Sequence, residues 1–477
     1  MNDKVLTWIE RWRLNYNSWL VLSLARTMFW SDKFSQRFSV LGLSVVSAII
    51  VTLMFGANTK RTMIYQLFAL FVAMVLMAMI VVFIQSYVRK KQINISRCLP
   101  TYATVEVPFS YRVEIKNLGN KDIYNLRVAE RNSLMRPTLN QFLTMKEPDE
   151  SKRNIYDRTM GFYRFSWLQK WLRGGALEPE MIPHLKPNSE HQLEMKFTPI
   201  RRGYIYFSKV RLSQPEPLGL MYTFQDFDLN ASIIALPKRY LVPQWVTRSA
   251  KSTVQKHGMA LASDVGEPEE FHHMREYRAG DSPRHIHWPS LARTGKPLIK
   301  SFQDENFTRQ ALVLDNFAGE HRTQAFEEAV SLAAGFAMRV DSDDMLLDLM
   351  FVGGQHEVHD MVAGRALAHA EQMLEALATV SLAERSDFKI LADTVLSQSE
   401  QFGSLVLILL EWDEQRQTLV QQLLALSVQV RIFLIQDMVT AHFKASMSSR
   451  DFDPSVFHVL TVGQVQQELN TLEGDRV

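Results

Sequence analysis

FSVLGLSVVSAIIVTLMFGA (38–57) and MIYQLFALFVAMVLMAMIVVFIQSYV (63–88) set the architecture, because neither run contains a charged residue. A helix needs about 20 apolar residues to cross a hydrocarbon core of roughly 30 Å. The first run, 20 residues long, just fits; the second, 26 residues long, must tilt or push its Tyr87 end into the headgroups. A cleaved signal peptide does not fit, since 37 residues precede the first run and a second run follows at once. The expectation is a transmembrane helical hairpin over 38–91, with spans of about 38–57 and 63–88. Arg26, Lys33 and Arg37 flank it on one side and Arg89, Lys90, Lys91 and Arg97 on the other, against Lys60 and Arg61 in the turn. Positive residues gather on the cytoplasmic side, so both ends of the hairpin, and all that follows it, are expected in the cytoplasm.

Upstream, residues 1–37 interleave Trp8, Ile9, Trp12, Tyr16, Trp19, Leu20, Phe29 and Trp30 with Arg11, Arg13 and Arg26. This is an amphipathic N-terminal segment that suits the membrane interface, or alternatively packs on the soluble domains. The lipid bilayer is thus the first expected partner.

The whole chain, at 477 residues, is long enough for two or three units. Its 53 Lys+Arg against 51 Asp+Glu leave +2, so a generally basic nucleic-acid binder is excluded. Apolar residues at 47% and charged residues at 22% exclude overall disorder. The single Cys98 excludes a disulfide framework and any four-thiolate metal site.

Downstream, residues 92–245 have period two. Val105, Val107, Phe109, Tyr111, Val113 and Ile115 alternate with other residues, NLGN (117–120) supplies a turn, and further runs follow at 123–128, 192–197, 204–212 and 231–236. An all-β, antiparallel immunoglobulin-like sandwich is expected, interrupted by an insertion at 139–185. That insertion holds GFYRFSWLQKWLRGG (161–175), read either as a membrane-surface or partner-docking helix or as a helix packing its aromatics on the sandwich, closed by Gly174 and Gly175.

In 306–477 the period changes again. Buried strands at 311–314, 345–351, 405–410 and 430–435 alternate with helical stretches at 322–340, 364–382 and 413–427. The expectation is an α/β, doubly wound, mostly parallel sheet with both faces covered. Such sheets bind ligands at the carboxyl ends of their strands, which here read DNFAG (315–319), GGQHE (353–357), EWDE (411–414) and QD (436–437). No G-x-x-x-x-G-K-[ST], H-E-x-x-H or G-x-S-x-G occurs, and no nucleophile, base and oxyanion set is recognisable. No enzymatic activity, catalytic residue or cofactor is expected.

Between the two soluble parts, within 246–305, lies GEPEEFHHMREYRAGDSPRHIHWPSLARTGKPLIKSFQDE (266–305). Arg275, Arg278, Arg284 and Arg293 stand beside Glu270, Glu276 and Asp281, with Tyr277 and Trp288 among them, and A-G-D-S-P (279–283) is a turn. Alternating charge around aromatics builds either a desolvated ion-pair network that locks the segment in place or a recognition surface. The four histidines His272, His273, His285 and His287 are either imidazoles for a transition metal or ordinary hydrogen-bonded residues. Asp341, Asp343 and Asp344 read as a solvated loop, and Lys296, Lys300, Asp304 and Glu305 as surface charges.

The same string resembles the signature of the domain-of-unknown-function 58 family. Its G-x-x-x-E-F-x-x-x-R-x-Y-x-x-G-D-x-x-R-x-I-x-W-x-x-x-A-R is matched by Gly266, Glu270, Phe271, Arg275, Tyr277, Gly280, Asp281, Arg284, Ile286, Trp288, Ala292 and Arg293. RRGYIYFSKVRLSQPEPLGLM (201–221) resembles the family's R-R-G-x-Y and P-x-G-L elements. The resemblance implies a bacterial, multi-pass protein of the inner (cytoplasmic) membrane with a von Willebrand factor A-like C-terminal domain. It implies a MoxR-type AAA+ ATPase as partner, with a transglutaminase-like membrane protein as a further one. The implied function is a non-enzymatic adaptor or scaffold in assembly or maturation of envelope-associated complexes; the alternatives are a structural envelope protein independent of any ATPase and, after it, a metal-dependent ligand-binding A domain. A metal-binding A domain needs D-x-S-x-S after its first strand. Asp315 is present, but Phe317 and Gly319 stand where the serines belong, so no metal is expected there.

Overall fold

The computed structural model describes residues 19–28, 30–31, 34–56, 62–88, 92–131, 137–148, 150–243, 271–278, 286–302, 308–317, 323–339, 345–353, 358–363, 367–383, 388–436 and 456–474. They belong to two compact units, one of 1–240 with 318–334 and 374–382, the other of 241–317 with 335–373 and 383–477.

The first unit begins with three apolar helices, α1 (Trp19–Met28), α2 (Val40–Gly56) and α3 (Thr62–Val88). Within α3, Met63–Ser86 is, among the described residues, the one helix long and apolar enough to cross a membrane, and almost none of it is buried. The predicted first span of 38–57 shortens to the 17 residues of α2. At 1.5 Å per residue that is about 26 Å, less than the roughly 30 Å of a hydrocarbon core. The helix begins late because its predicted first residues are engaged elsewhere. Phe38 forms a β-bridge with Met221, and the Ser39 amide donates to the Leu220 carbonyl at 2.9 Å.

Two sheets follow. One has the order β1-β3-β7-β5, built from β1 (Ile93–Cys98), β3 (Phe109–Asn117), β5 (Gly175–Leu177) and β7 (Glu190–Pro199). The other, β2-β9-β8-β4-β6, uses β2 (Tyr102–Thr104), β4 (Ile123–Arg131), β6 (Glu180–Leu185), β8 (Gly203–Pro215) and β9 (Tyr222–Leu236). Alternate residues of both, among them Tyr111, Val113 and Ile115 of β3 and Ile205, Phe207, Val210 and Leu212 of β8, enclose one apolar core. Val107, expected in the first alternating run, is exposed, because the strand begins only at Phe109.

The insertion is shorter than 139–185. Its helices α4 (Leu139–Thr144), α5 (Ile155–Met160) and α6 (Phe162–Arg173) end at Gly174, whose φ of +84° suits a glycine, and 175–185 already contains β5 and β6 of the sandwich. Phe165 and Leu168 of α6 are buried with Phe142, Leu20 and Val21. The described part of the N-terminal segment therefore packs on the insertion, with Trp19, Leu22 and Trp30 left exposed. Arg201 of the R-R-G-x-Y element donates to the Trp171 and Leu172 carbonyls at 2.9 and 3.2 Å, adding to the Gly174 amide that already donates to Trp171 at the end of α6.

Gly42 on α2 lies so close to the sandwich loop at 215–221 that an added Cβ would stand 2.1 Å from the Leu220 carbonyl oxygen. Backbone cannot yield as a side-chain tip can, so Gly42→Ala is expected to unseat the loop at a cost of about 1–3 kcal/mol. Hydrogen exchange of the 216–221 amides in detergent-solubilised protein should accelerate; unchanged protection would show that the seat relaxes freely.

In the second unit, β10 (Phe271–Glu276) and β11 (Leu298–Phe302) form an antiparallel pair. The six-stranded sheet has the order β14-β13-β12-β15-β16-β17, from β12 (Thr308–Leu314), β13 (Met345–Val352), β14 (Val358–Ala363), β15 (Ser404–Leu409), β16 (Gln429–Gln436) and β17 (Phe457–Thr461). Every pairing is parallel except that of the edge strand β14. Ala311 and Val313 face a layer containing Phe388, Leu391, Leu419 and Leu423, while Phe433 meets Phe336 at 5.9 Å between ring centroids. The helical stretches expected at 322–340, 364–382 and 413–427 are Thr323–Arg339, Leu367–Thr379 and Glu414–Ala425, of which residues 323–334 and 374–379 are counted with the first unit.

Candidate functional site at the carboxyl edge of the parallel sheet

Strand β12 has β13 on one side and β15 on the other, so the chain order reverses between β12 and β15. A crevice opens at such a switch point, outside the carboxyl ends of the two strands. Asp315 follows β12 at this place, and Leu410–Asp413 follow β15.

The crevice is filled by the chain itself. Arg416 reaches back from the helix Glu414–Ala425 and donates through Nε to Asp315 Oδ2 at 2.7 Å and through Nη2 to Oδ1 at 3.0 Å. The Phe317 amide donates to Oδ1 at 3.0 Å and the Leu410 amide to Oδ2 at 3.1 Å. A carboxylate has about four lone-pair sites, and all are used. Arg416 also donates to the Phe317 carbonyl at 2.9 Å and to Asp413 Oδ2 at 2.7 Å, and its guanidinium lies 4.4 Å from the centroid of the Phe388 ring. Asp413 in turn caps its helix by accepting from the Arg416 amide. Asp315 and Arg416 are 0% and 1% exposed.

Burial is the largest influence on Asp315 and raises its pKa, with Arg416 and the two amides opposing. Burial works against the charge on Arg416, but Asp315 and Asp413 more than offset it and hold the guanidinium charged. A cation would find Asp315 already neutralised, and Phe317, fully buried against Phe388 at 5.7 Å between centroids, offers no side-chain ligand. These residues do not fit a bound metal. The missing serines were legible in the sequence; Arg416, the group that takes the cation's place, was not.

The described residues of the signature segment include an antiparallel strand pair of their own. Its strands β10 and β11 are bridged by a short helix, Trp288–Thr294, ended by Gly295 at φ +68°. The Tyr277 amide donates to the Pro297 carbonyl at 3.0 Å and the His287 amide to the Leu298 carbonyl at 2.8 Å. Ile286 bridges to Ile299, which is buried. Trp288 is 61% exposed and Tyr277 38%, and Arg293 is exposed while Arg275 is half-buried. Arg275 donates to the Glu276 carbonyl at 3.3 Å, and Glu276 approaches Lys296 to 3.9 Å with both side chains solvated. His287 Nδ1 lies 2.6 Å from Ser290 Oγ, an ordinary hydrogen bond. Phe271 pairs with Phe302 in the strand register. Gly266, Glu270, Gly280, Asp281, Arg284, His285, Gly319 and the aspartates at 341, 343 and 344 lie outside the described residues, and of the side chains of His272 and His273 the structure describes nothing.

Comparison with known proteins places this region. The chain is 24% identical over 212 residues to the uncharacterized protein YeaD of Bacillus subtilis (strain 168). The similarity covers 43% of this chain and 49% of that protein, so the chain spans about half the length of the curated relative it matches. The family model described as "Protein of unknown function DUF58" matches residues 273–433, which include Tyr277, Trp288, Asp315 and Arg416. From β10 into β16, the chain is similar to the DUF58 family model.

Proposed function

We propose that the protein is a non-enzymatic, membrane-anchored adaptor. In this reading α2 and α3 form a multi-pass hairpin in the bacterial inner membrane, with the soluble domains in the cytoplasm. The sandwich, antiparallel except where β2 pairs with β9 in parallel, is of immunoglobulin-like type, and the doubly wound sheet is a von Willebrand factor A-like domain that binds protein rather than metal. The observation that carries the reading is the plugged switch point. The place where such sheets take a ligand or cation is occupied by Arg416 on Asp315, while the signature segment beside it in sequence presents Trp288, on its short helix, and Tyr277, just past β10, to solvent. Exposed aromatic and arginine side chains are the types that anchor protein interfaces.

The partner this reading selects is a MoxR-type AAA+ ATPase, with a transglutaminase-like membrane protein as a further one. Co-purification from native membranes, with and without ATP, tests it on the wild type, Trp288→Ala and Asp281→Ala. An AAA+ ATPase retained by the wild type in one nucleotide state and lost with Trp288→Ala is the expected result. A wild type that retains no ATPase in any nucleotide state overturns the reading in favour of a structural envelope role.

A further inference from the structure

The P-x-G-L element, Pro217–Leu220, is not used by the adaptor reading, yet it meets the apolar helices of its own unit. Leu220 and Met221 are buried among Phe38, Val45, Met74, Ala78 and Val82. The contact therefore lies at the start of α2 but in the middle of α3. A hydrocarbon core of roughly 30 Å takes up about 20 residues of helix. Counted from Met63, where the apolar stretch of α3 begins, it extends to about Val82. Beyond the level of the loop, α3 stays apolar and exposed: Met79, Ile80, Phe83 and Ile84 are 51%, 55%, 70% and 50% exposed. The next charges come only with Arg89, Lys90 and Lys91. Water is a poor neighbour for such a surface, so the bilayer must reach past the loop.

The loop is built for that position. Non-helical backbone survives at membrane depth only where its polar groups are satisfied within the protein. The Glu216 carboxylate, 3% exposed as a residue, accepts from the amides of Leu218 and Leu220 at 2.5 and 2.8 Å. The Gly219 amide donates to the Glu216 carbonyl at 2.8 Å, and the Glu216 amide to the Met221 carbonyl at 2.9 Å. From α2's approach, the Ser39 hydroxyl donates to the Gly219 carbonyl at 2.5 Å and the Ser39 amide to the Leu220 carbonyl at 2.9 Å. Leu218, at the tip, is 47% exposed and apolar.

We infer that the loop 217–221 is seated in the boundary between acyl chains and headgroups, with Leu218 in contact with lipid, so that the sandwich is held against the membrane by its own wedge as well as by the chain connection. The inference rests on the reading that α3 spans a bilayer.

The test uses the full chain in phosphatidylcholine and phosphatidylglycerol vesicles, with Cys98→Ser removing the natural thiol. An environment-sensitive fluorophore is attached singly at Leu218→Cys, Phe83→Cys or Tyr206→Cys, the last on an exposed tyrosine of β8. The expected result is quenching of the Leu218 and Phe83 labels by spin-labelled acyl chains and loss of their quenching by iodide, with the reverse at Tyr206. A Phe83 label quenched by lipid beside a Leu218 label open to iodide overturns the wedge and leaves the span intact. A Leu218 label shielded from both quenchers also overturns it, showing a protein cover. A Phe83 label that lipid does not quench overturns the span and the wedge with it.

Discussion

Arg416→Met is expected to destabilise the second unit by about 3–5 kcal/mol, the usual cost of leaving one member of a buried ion pair alone. Methionine roughly fills the space of the arginine stem, but Asp315, fully buried, would keep only the Leu410 and Phe317 amides as donors. Thermal unfolding of the full chain in detergent reads the effect, at about 2–4 °C of Tm per kcal/mol for a unit of this size. Its pH dependence has a defined sign. Burial already raises the Asp315 pKa and Arg416 opposes that rise, so removing Arg416 raises it further above the unfolded value. The folded variant then binds a proton that the unfolded chain releases, and stability falls as pH rises through that window. The deficit against wild type should shrink toward acid pH and grow toward neutrality. Replacing both residues, Asp315→Leu with Arg416→Met, should recover most of the loss. A single variant that melts with the wild type would show that the pair contributes nothing. Added Mg²⁺ should leave the wild-type transition unmoved, since a cation must first displace a guanidinium that Asp315 holds by two hydrogen bonds.

The same pair shows where reading the sequence stops. The strands of the sheet were legible because Ala311–Leu314 and Leu405–Leu410 are apolar on both faces, the pattern of a strand covered twice. Asp315 was legible as the residue after the first such strand. EWDEQR (411–416), in contrast, reads as a solvated charge run at a helix start, and one-dimensional spacing does not tell that its arginine, 101 residues from Asp315, turns inward. The one local signal is Asp413 as a helix cap, which fixes Arg416 in the first turn. Period two was equally informative in the sandwich, where Tyr111, Val113 and Ile115 do face one core, and misleading at Val107, because a turn precedes the strand. For the insertion, composition marked the aromatic helix and its glycine stop but ran over β5 and β6, whose strand character comes from pairing with β7 and β4. The positive flank of the hairpin also loses a member, since Arg97 is not at the membrane edge in the sense counted from the sequence but inside the sandwich.

Arg97→Met should be the second most damaging change, again about 3–5 kcal/mol, and here the loss separates two sheets rather than two strand ends. Arg97 stands on β1, in one sheet, and donates to both oxygens of Glu130 on β4, in the other, at 2.9 and 2.7 Å. It also donates to the Leu229 carbonyl of β9, and its guanidinium lies 5.3 Å from the Phe207 ring centroid of β8. The side chains of Arg97 and Glu130 are 2% and 0% exposed. Burial raises the pKa of Glu130 against the pull of Arg97, and burial followed by the Glu130 charge raises that of Tyr111 far above the usual phenol range. With Arg97 gone, Glu130 takes up a proton or leaves the core, and either outcome loosens the seam through which the first strand after α3 joins the sandwich. Glu130→Gln keeps shape and hydrogen bonding and should cost less than Arg97→Met, because Arg97 retains backbone carbonyl partners in the second sheet. The order Arg97→Met worse than Glu130→Gln, with Arg97→Met/Glu130→Leu close to wild type, is what Tm measurements of the full chain should return. A double variant as unstable as Arg97→Met alone would mean that the arginine acts through its packing on Phe207 and the β9 carbonyl, and not through the charge of Glu130.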